Sequence, residues 1–235
     1  MDTLDDFLMT RPATADRPLL GLTILLVEDS RFASDGIRLL SLRSGARIRR
    51  ADTLAHARRH LRVYRPSVAI VDMGLPDGSG AELIDELNRG QPRVPVILAT
   101  SAESEEETAA RAAGADGFLA KPVARLAEFQ AAVLRHLPAD RQPRGMRVAP
   151  EDVVEPDVLA YRDDLVQVAE VLAKRSDDAG TLHYLAQFAG SIALSAGDDA
   201  MARAVARMEG AAPGSPPVVA FRALVENRLA GEARI

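Results

Sequence analysis

Short strand-like runs alternate with helical patterns over the first 137 residues. Five runs are too short for most helices and lie beside residues that favour turns, so each predicts a strand. Four of these runs are largely apolar. The other, Arg47–Arg50, is so basic that it suits the edge of a sheet. The predicted strands are Leu22–Val27, Arg47–Arg50, Ser67–Asp72, Pro95–Thr100 and Asp116–Ala120.

Between and after these strands, apolar residues recur at helical spacing. Five strands alternating with five helices predict a parallel sheet covered on both faces, an α/β fold of the doubly wound (βα)5 type. This domain is expected to span residues 21–138, after an N-terminal extension of residues 1–20 with a short acidic helix. The predicted helices are Ser30–Leu42, Thr53–Tyr64, Ala81–Asn88, Glu103–Ala113 and Val123–Leu137.

The last third of the chain shows helical periodicity alone. Four prolines between Pro138 and Pro156 indicate a linker over residues 139–156. Four amphipathic helices follow within residues 157–235, the third capped by Asp198 or Asp199. Short links between the helices predict an all-α, four-helix bundle-like domain.

Composition narrows the class of protein. The chain has 235 residues and no Cys, which excludes disulfides. Its formal net charge of -5 argues against non-specific attraction to nucleic acid or anionic membranes. Acidic residues near the start argue against a signal peptide, and the longest apolar run is too short to span a bilayer. We expect a cytoplasmic protein.

Three acids stand where predicted strands end. Asp72 closes the strand that begins at Ser67, and Glu28 and Asp29 follow the first strand directly. Open parallel sheets bind their ligands just beyond the carboxyl ends of their strands, so these side chains indicate a functional site. Helix capping is the alternative for each of them, although Asp77 and Ser79 are better placed to begin the helix that follows Asp72.

Four separated motifs give the first domain its family resemblance. It resembles the receiver domain of two-component response regulators from about residue 22 to 137, a flavodoxin-like fold. The motifs, one at the end of each of four strands, are Val27-Glu28-Asp29-Ser30, Asp72 to Gly80, Ala99-Thr100-Ser101-Ala102 and Gly114 to Pro122.

The resemblance implies a role for each site residue. Asp72 is implied as the phosphoacceptor, and Lys121 and Thr100 as donors to the acyl phosphate. Phosphoryl transfer to a carboxylate needs a divalent cation to offset charge, and Mg²⁺ prefers hard oxygen ligands. The implied ligands are Glu28, Asp29, Asp72 and the backbone carbonyl of Gly74, and Phe118 is implied as the ring whose orientation reports the state.

Several of these roles have alternatives. Ser101 competes with Thr100 as the switch hydroxyl, because the spacing from Thr100 to Lys121 is one residue shorter than is usual in the family. Lys121 could be a surface lysine, and Phe118 an ordinary core aromatic.

A second, weaker resemblance lies in the helical domain. The stretch Ala186–Ala193 is similar to the core helix of histidine-phosphotransfer domains, but Ala186 stands where their phosphorylated His belongs. Relay chemistry is therefore not expected, and His183, one turn earlier, is expected to be a surface or interface residue.

Together these observations predict a response regulator of a two-component phosphorelay and not an enzyme. A histidine kinase or phosphotransfer protein would phosphorylate Asp72, and the modification would switch protein-protein contacts, including those of a possible homodimer. A DNA-binding regulator is the first alternative. However, from Gly145 onward 9 Lys and Arg face 14 Asp and Glu, a charge of -5, so nucleic-acid binding is not favoured. A magnesium-dependent phosphatase is the second.

Overall fold

The computed structural model describes residues 13–143, 150–175 and 178–231. By its internal contacts the chain divides into two units. The first takes in the residues up to Asp29 and Ser34–Glu155, and the second takes in Ser30–Ala33 and the chain from Pro156 onward. The domain boundaries inferred from the sequence stay a prediction, and the acidic segment before residue 13 lies outside the described residues.

A five-stranded parallel sheet forms the centre of the first unit. Its order is β2-β1-β3-β6-β7, which puts the basic strand at one edge as predicted. A small antiparallel hairpin, β4-β5, was not predicted, because its strands have only two residues each. The strands are β1 (Thr23–Val27), β2 (Arg47–Ala51), β3 (Val68–Asp72), β4 (Gly74–Leu75), β5 (Gly78–Ser79), β6 (Val96–Ser101) and β7 (Gly117–Ala120).

Five helices cover the two faces of this sheet. Alternate residues of β3 serve different cores: Val68 and Ile70 pack with α1 and α5, whereas Ala69 and Val71 pack with α2, α3 and α4. The predicted α/β fold is confirmed, and the helices begin and end within a few residues of the predicted positions. They are α1 (Arg31–Arg43), α2 (Leu54–Leu61), α3 (Gly80–Arg89), α4 (Glu106–Ala113) and α5 (Leu126–His136).

Local capping explains most of these boundaries. The Ser30 hydroxyl accepts a hydrogen bond from the Ala33 amide (3.0 Å), as expected of a cap for α1. Gly114 ends α4 with a left-handed φ of 106°, and its amide reaches back to the last turn. Asp77 differs from the prediction: its carboxylate accepts from the amides of Leu54 and Ala55 at the start of α2, and Ser79 alone caps α3.

Part of the predicted linker is packed against the first unit. Val153 pairs with Arg125 in an isolated antiparallel bridge, and the Val154 amide donates to the Ala124 carbonyl. The Val154 side chain is buried in the core that contains α1 and α5. Residues 144–149 lie outside the described part.

Four helices form the second unit around one apolar core. Each helix packs against the next one along the chain, and α9 also packs against α6, as predicted for a bundle. They are α6 (Val158–Arg175), α7 (Ala179–Ala196), α8 (Asp199–Met208) and α9 (Pro216–Gly231). Within the described ranges, no helix combines the length and apolar character needed to cross a bilayer.

Candidate phosphoacceptor site

Three buried acids meet at the carboxyl edge of the sheet. In the register of β1 and β3, Val27 lies beside Val71, so the residues that follow, Glu28 and Asp72, are also neighbours. Glu28, Asp29 and Asp72 each place a carboxylate oxygen within 4.8 Å of the others. The structure therefore brings together the acids that the sequence placed at two different strand ends.

Lys121 completes this cluster from the end of β7. Its Nζ lies 2.8 Å from Oε2 of Glu28 and 2.9 Å from Oδ2 of Asp72. The side chain is buried, so it is not the solvated surface lysine that the sequence left open. Because Ala120 pairs with Ser101 in the sheet and the Lys121 amide donates to the Ser101 carbonyl (2.9 Å), the backbone fixes where this side chain begins.

Burial and charge together shift the titration of the cluster. Desolvation, with the nearby Asp72 carboxylate, raises the pKa of Glu28 well above its usual value, although Lys121 opposes the change. Burial disfavours the charged form of Lys121, but Asp72 and Glu28 more than offset this and raise its pKa. By formal charge, three carboxylates and one ammonium group give this buried site a balance of -2.

The donor set fits a hard divalent cation. Mg²⁺ favours carboxylate and carbonyl oxygens, and three carboxylates that converge this closely repel one another unless a cation lies among them. Glu28, Asp29 and Asp72 are the side chains that would hold it.

The loop after Asp72 requires a residue without a side chain at Gly80. A Cβ built at Gly80 would lie 2.0 Å from the carbonyl oxygen of Asp72 and 3.0 Å from Cα of Met73. The Gly80 amide donates to the Met73 carbonyl (2.9 Å), and the Gly74 amide approaches Oδ1 of Asp72 at 3.5 Å. These contacts fold the loop back onto the end of β3.

Thr100 and Ser101 take different positions beside the cluster. Thr100 pairs with Asp72 in the register of β3 and β6, and residues so paired lie on the same face of the sheet. Its buried hydroxyl donates to the Leu119 carbonyl (2.9 Å). The Ser101 hydroxyl instead accepts from the Glu103 amide (3.0 Å), at the approach to α4.

Phe118 lies on β7, which β6 separates from β3 and its terminal Asp72. It pairs with Ala99, is half-buried, and packs on the core beneath α2, α3 and α4. This position shows where the ring lies; its role as a switch stays a prediction.

Arg50 is a site neighbour that the sequence interpretation missed. Its guanidinium donates to the Glu28 carbonyl (3.1 Å) and to the Asp29 carbonyl (2.7 Å). These bonds tie the edge strand β2 to the backbone of the acidic pair. The position of Arg50 at the end of a basic run is the sequence signal for this contact, and the same signal fits protection of an edge strand.

Part of the chain matches a known protein family. Residues 24–133 match the family described as the response regulator receiver domain. This part of the chain is a receiver domain. The four motifs identified in the sequence all lie within it. The match covers the strands, apart from Thr23 at the start of β1, and none of the helices α6–α9.

The curated relatives match less than half of the chain. The chain is 33% identical over 108 residues to the KDP operon transcriptional regulatory protein KdpE of Escherichia coli K12, covering 46% of this chain and 48% of that protein. It is 29% identical over 102 residues to the transcriptional regulatory protein PhoP of the same strain, covering 43% and 46%. The chain thus spans about half the length of the curated relatives it matches.

Solved structures match a similar share of the chain. One is the receiver domain of the sensor histidine kinase PA1611 of Pseudomonas aeruginosa PAO1, solved with a magnesium ion in its active site cleft. It is 28% identical, covers 49% of this chain and 96% of its own, and has a TM-score of 0.44. Another is the chemotaxis response regulator CheY4 of Vibrio cholerae, 23% identical with a TM-score of 0.42, covering 49% and 98%.

In the helical unit, Ala186 stands on α7 where the phosphorylated histidine of a phosphotransfer domain is expected. Ala186 is buried in the core of the bundle, and His183 is exposed on α7. The resemblance to histidine-phosphotransfer domains therefore stays a prediction about the helical-bundle fold, and phosphotransfer through Ala186 is not expected.

Proposed function

We propose that this chain is a phosphorylation-controlled signalling protein in which Asp72 receives a phosphoryl group from the histidine of a partner kinase or phosphotransfer protein. The observation that supports this most directly is the contact of Lys121 with Asp72 and Glu28, inside a cluster of three acids. The proposed acceptor carboxylate, the proposed cation ligands and the proposed donor to the phosphoryl oxygens thus lie within one buried site.

Each residue has a defined part in the transfer. A carboxylate oxygen of Asp72 attacks the phosphorus atom, and the bond to the donor histidine nitrogen breaks with its electron pair staying on that nitrogen. A magnesium ion held by Glu28, Asp29, Asp72 and the Gly74 carbonyl would offset the charge on the phosphoryl oxygens. Lys121 is close enough to Asp72 to donate to the new acyl phosphate.

The response to the modification begins at the side chain of Thr100. The Thr100 hydroxyl, which donates to the Leu119 carbonyl, would turn to donate to a phosphoryl oxygen instead. The Leu119 carbonyl at β7 would then lose its hydroxyl donor. We expect the surface formed by α4, β7 and α5 to carry this change to a partner or to the helical domain.

Labelling with acetyl phosphate tests the proposal. We expect wild-type protein with Mg²⁺ to gain the mass of one phosphoryl group, and Asp72→Asn to gain none. Asp85→Asn, an acid on α3 that pairs with Arg89, is the matched control and should label like wild type. Equal labelling of wild type and Asp72→Asn would refute the proposal, and catalytic turnover of phosphate esters would favour the phosphatase alternative.

DNA binding is the second candidate, because the curated relatives are named transcriptional regulatory proteins. The acidic balance of the chain from Gly145 onward argues against it. Titration of a genomic fragment library at low salt separates the two: binding that falls with added salt would support the transcriptional alternative.

A further inference from the structure

Arg50 lies near the end of the edge strand β2, where its side chain reaches the backbone beside the acidic cluster. Its Nε donates to the Glu28 carbonyl (3.1 Å), and its Nη2 donates to the Asp29 carbonyl (2.7 Å). Both of these bonds end on backbone oxygens and not on carboxylates. One guanidinium therefore holds two consecutive peptide groups, and they belong to two of the three acids whose carboxylates converge.

The backbone of this acidic pair lies between two regular elements. Strand β1 ends at Val27, and helix α1 begins at Arg31. The Glu28 amide still donates to the Ala51 carbonyl (2.9 Å), which continues the contact between β1 and β2 by one bond. Beyond that bond the chain leaves the sheet, so contacts outside the sheet set its direction.

The two carbonyls that Arg50 binds flank the backbone dihedrals of Asp29. A peptide group is planar, so φ and ψ of Asp29 are the only soft rotations between the Glu28 carbonyl and the Asp29 carbonyl. The N–H donors of a guanidinium lie in one plane and in a fixed fork geometry. Because Arg50 binds both carbonyls at once, it restricts φ and ψ together. It thereby fixes the direction in which the Asp29 side chain leaves the backbone.

Edge protection and charge balance explain this contact less well. Arg47 and Arg49 are exposed on β2 and already protect the edge of the sheet, whereas Arg50 is half-buried. A counter-charge for the cluster would act most strongly beside the carboxylate oxygens, and Lys121 already occupies that position. The specific feature of Arg50 is its hold on the backbone.

We propose that Arg50 is a positioning residue of the cation site, which keeps the Asp29 carboxylate directed at the other two acids. The inference rests on the proposed function, in which Asp29 is a ligand of Mg²⁺. A ligand held in place before binding loses less conformational freedom when the cation arrives. Loss of an outer contact that orients a metal ligand typically weakens metal binding by about 10- to 100-fold.

Calorimetric titration of the full-length protein with Mg²⁺ alone tests this role. Arg50→Lys keeps the charge but replaces the planar fork with a point charge on a flexible stem, so the dissociation constant should rise about tenfold. Arg50→Gln should also bind Mg²⁺ more weakly than wild type. Arg47→Gln removes the same charge at the other end of β2 and is the matched control, with the affinity of wild type.

A counter-charge would give a different pattern, because it acts through its sign and not through its shape. Arg50→Lys would then bind Mg²⁺ like wild type, and Arg50→Gln would bind it more tightly. Either result would overturn the proposal.

A metal-free measurement separates positioning from a general loss of structure. In chelator, the amides of Glu28 and Asp29 should exchange faster in Arg50→Lys than in wild type, whereas the amides of β6 and β7 should exchange at unchanged rates. Circular dichroism checks that each variant is folded. Unchanged exchange at Glu28 and Asp29 would show that Arg50 does not hold this backbone.

Labelling with acetyl phosphate distinguishes this inference from the proposed function. In Arg50→Lys the Mg²⁺ concentration that gives half the maximal labelling rate should rise about tenfold. The rate at saturating Mg²⁺ should stay near that of wild type, because Asp72 and Lys121 are unchanged. If wild type labels and Arg50→Lys shows the same Mg²⁺ dependence, only this inference fails. If wild type neither binds Mg²⁺ nor labels, the proposed function fails together with it.

Discussion

Glu28 combines complete burial with a carboxylate that is costly to ionise. Because its pKa is raised in the folded protein, the stability it contributes is present below the unfolded value of about 4.5 and is lost as the pH rises through the folded value. The metal-free protein should therefore become less stable as the pH rises, and a bound cation should remove much of this loss. Glu28 thus favours cation binding and lowers the stability of the metal-free protein.

Substitution of Glu28 should separate these two effects. In Glu28→Gln we expect the metal-free protein to melt at a higher temperature than wild type at pH 8, because the buried charge is gone. Mg²⁺ binding should weaken roughly tenfold, equivalent to about 1.4 kcal/mol. Thermal melts in chelator at pH 6 and pH 8, with a Mg²⁺ titration, measure both. Glu107→Gln, an exposed acid paired with Arg111, should change neither; a lower melting temperature for Glu28→Gln at pH 8 would contradict the argument.

The choice between Thr100 and Ser101 also belongs to single residues. Only Thr100 pairs with Asp72 in the sheet, and its hydroxyl already bonds to β7 through Leu119. With beryllofluoride and Mg²⁺, amide exchange over Gly117–Ala120 should change in wild type and in Ser101→Ala. In Thr100→Val the equilibrium constant for the activated conformation should fall about tenfold or more. The reason is that a hydrogen bond to a charged group contributes about 1.5–3 kcal/mol. The reverse pattern would assign the role to Ser101.

Among the elements, α8 depends on a single acid at its start. Asp198 accepts hydrogen bonds from the Met201 amide (3.0 Å), the Tyr161 hydroxyl (3.0 Å) and the Arg228 guanidinium (2.9 Å). One carboxylate therefore joins the start of α8 to both α6 and α9. Although partial burial opposes the change, these three donors lower its pKa.

Asp198→Ala should destabilise the helical unit by about 2 kcal/mol, the upper range for loss of a helix cap. Asp199→Ala, at the first residue of α8, is the matched control and should have a much smaller effect. Because the folded pKa is lowered, the stability that Asp198 contributes is present above the unfolded value of about 3.8 and is lost as the pH falls below it. Urea unfolding at pH 7 and pH 3 measures the difference in free energy of unfolding between wild type and Asp198→Ala. We expect this difference to be smaller at pH 3, and an equal difference at both pH values would contradict the assignment.

Local patterns predicted most elements and the acceptor cluster, but not the contacts that brace them. Strands and helices follow from periodicity, and Asp72 and Lys121 stand at strand ends that a parallel sheet brings to one edge. Arg50 and Asp77 act through hydrogen bonds to backbone groups 21 to 23 residues away, and no periodicity marks such pairs. Distance along the sequence favours Asp77 as a cap for the nearer helix, α3, whereas its hydrogen bonds go to α2.

At the scale of the whole molecule, ligand binding at the receiver site should appear as added stability. A ligand that binds only the folded state adds about 2.7 kcal/mol at one hundred times its dissociation constant. We therefore expect Mg²⁺ with beryllofluoride to raise the melting temperature of wild type and not of Asp72→Asn. If the helical unit takes part in the output, a calorimetric transition assigned to that unit by the Asp198→Ala variant should also move. An unchanged second transition would restrict the response to the receiver domain.

The Asp77 cap has a consequence that reaches across the receiver domain. The loop that follows the acceptor holds the first turn of α2, because the Asp77 carboxylate accepts hydrogen bonds from the amides of Leu54 and Ala55. A shift of that loop on phosphorylation would displace the start of α2. By thermodynamic reciprocity, a partner that binds the displaced helix more tightly would stabilise the phosphorylated state by the same coupling energy.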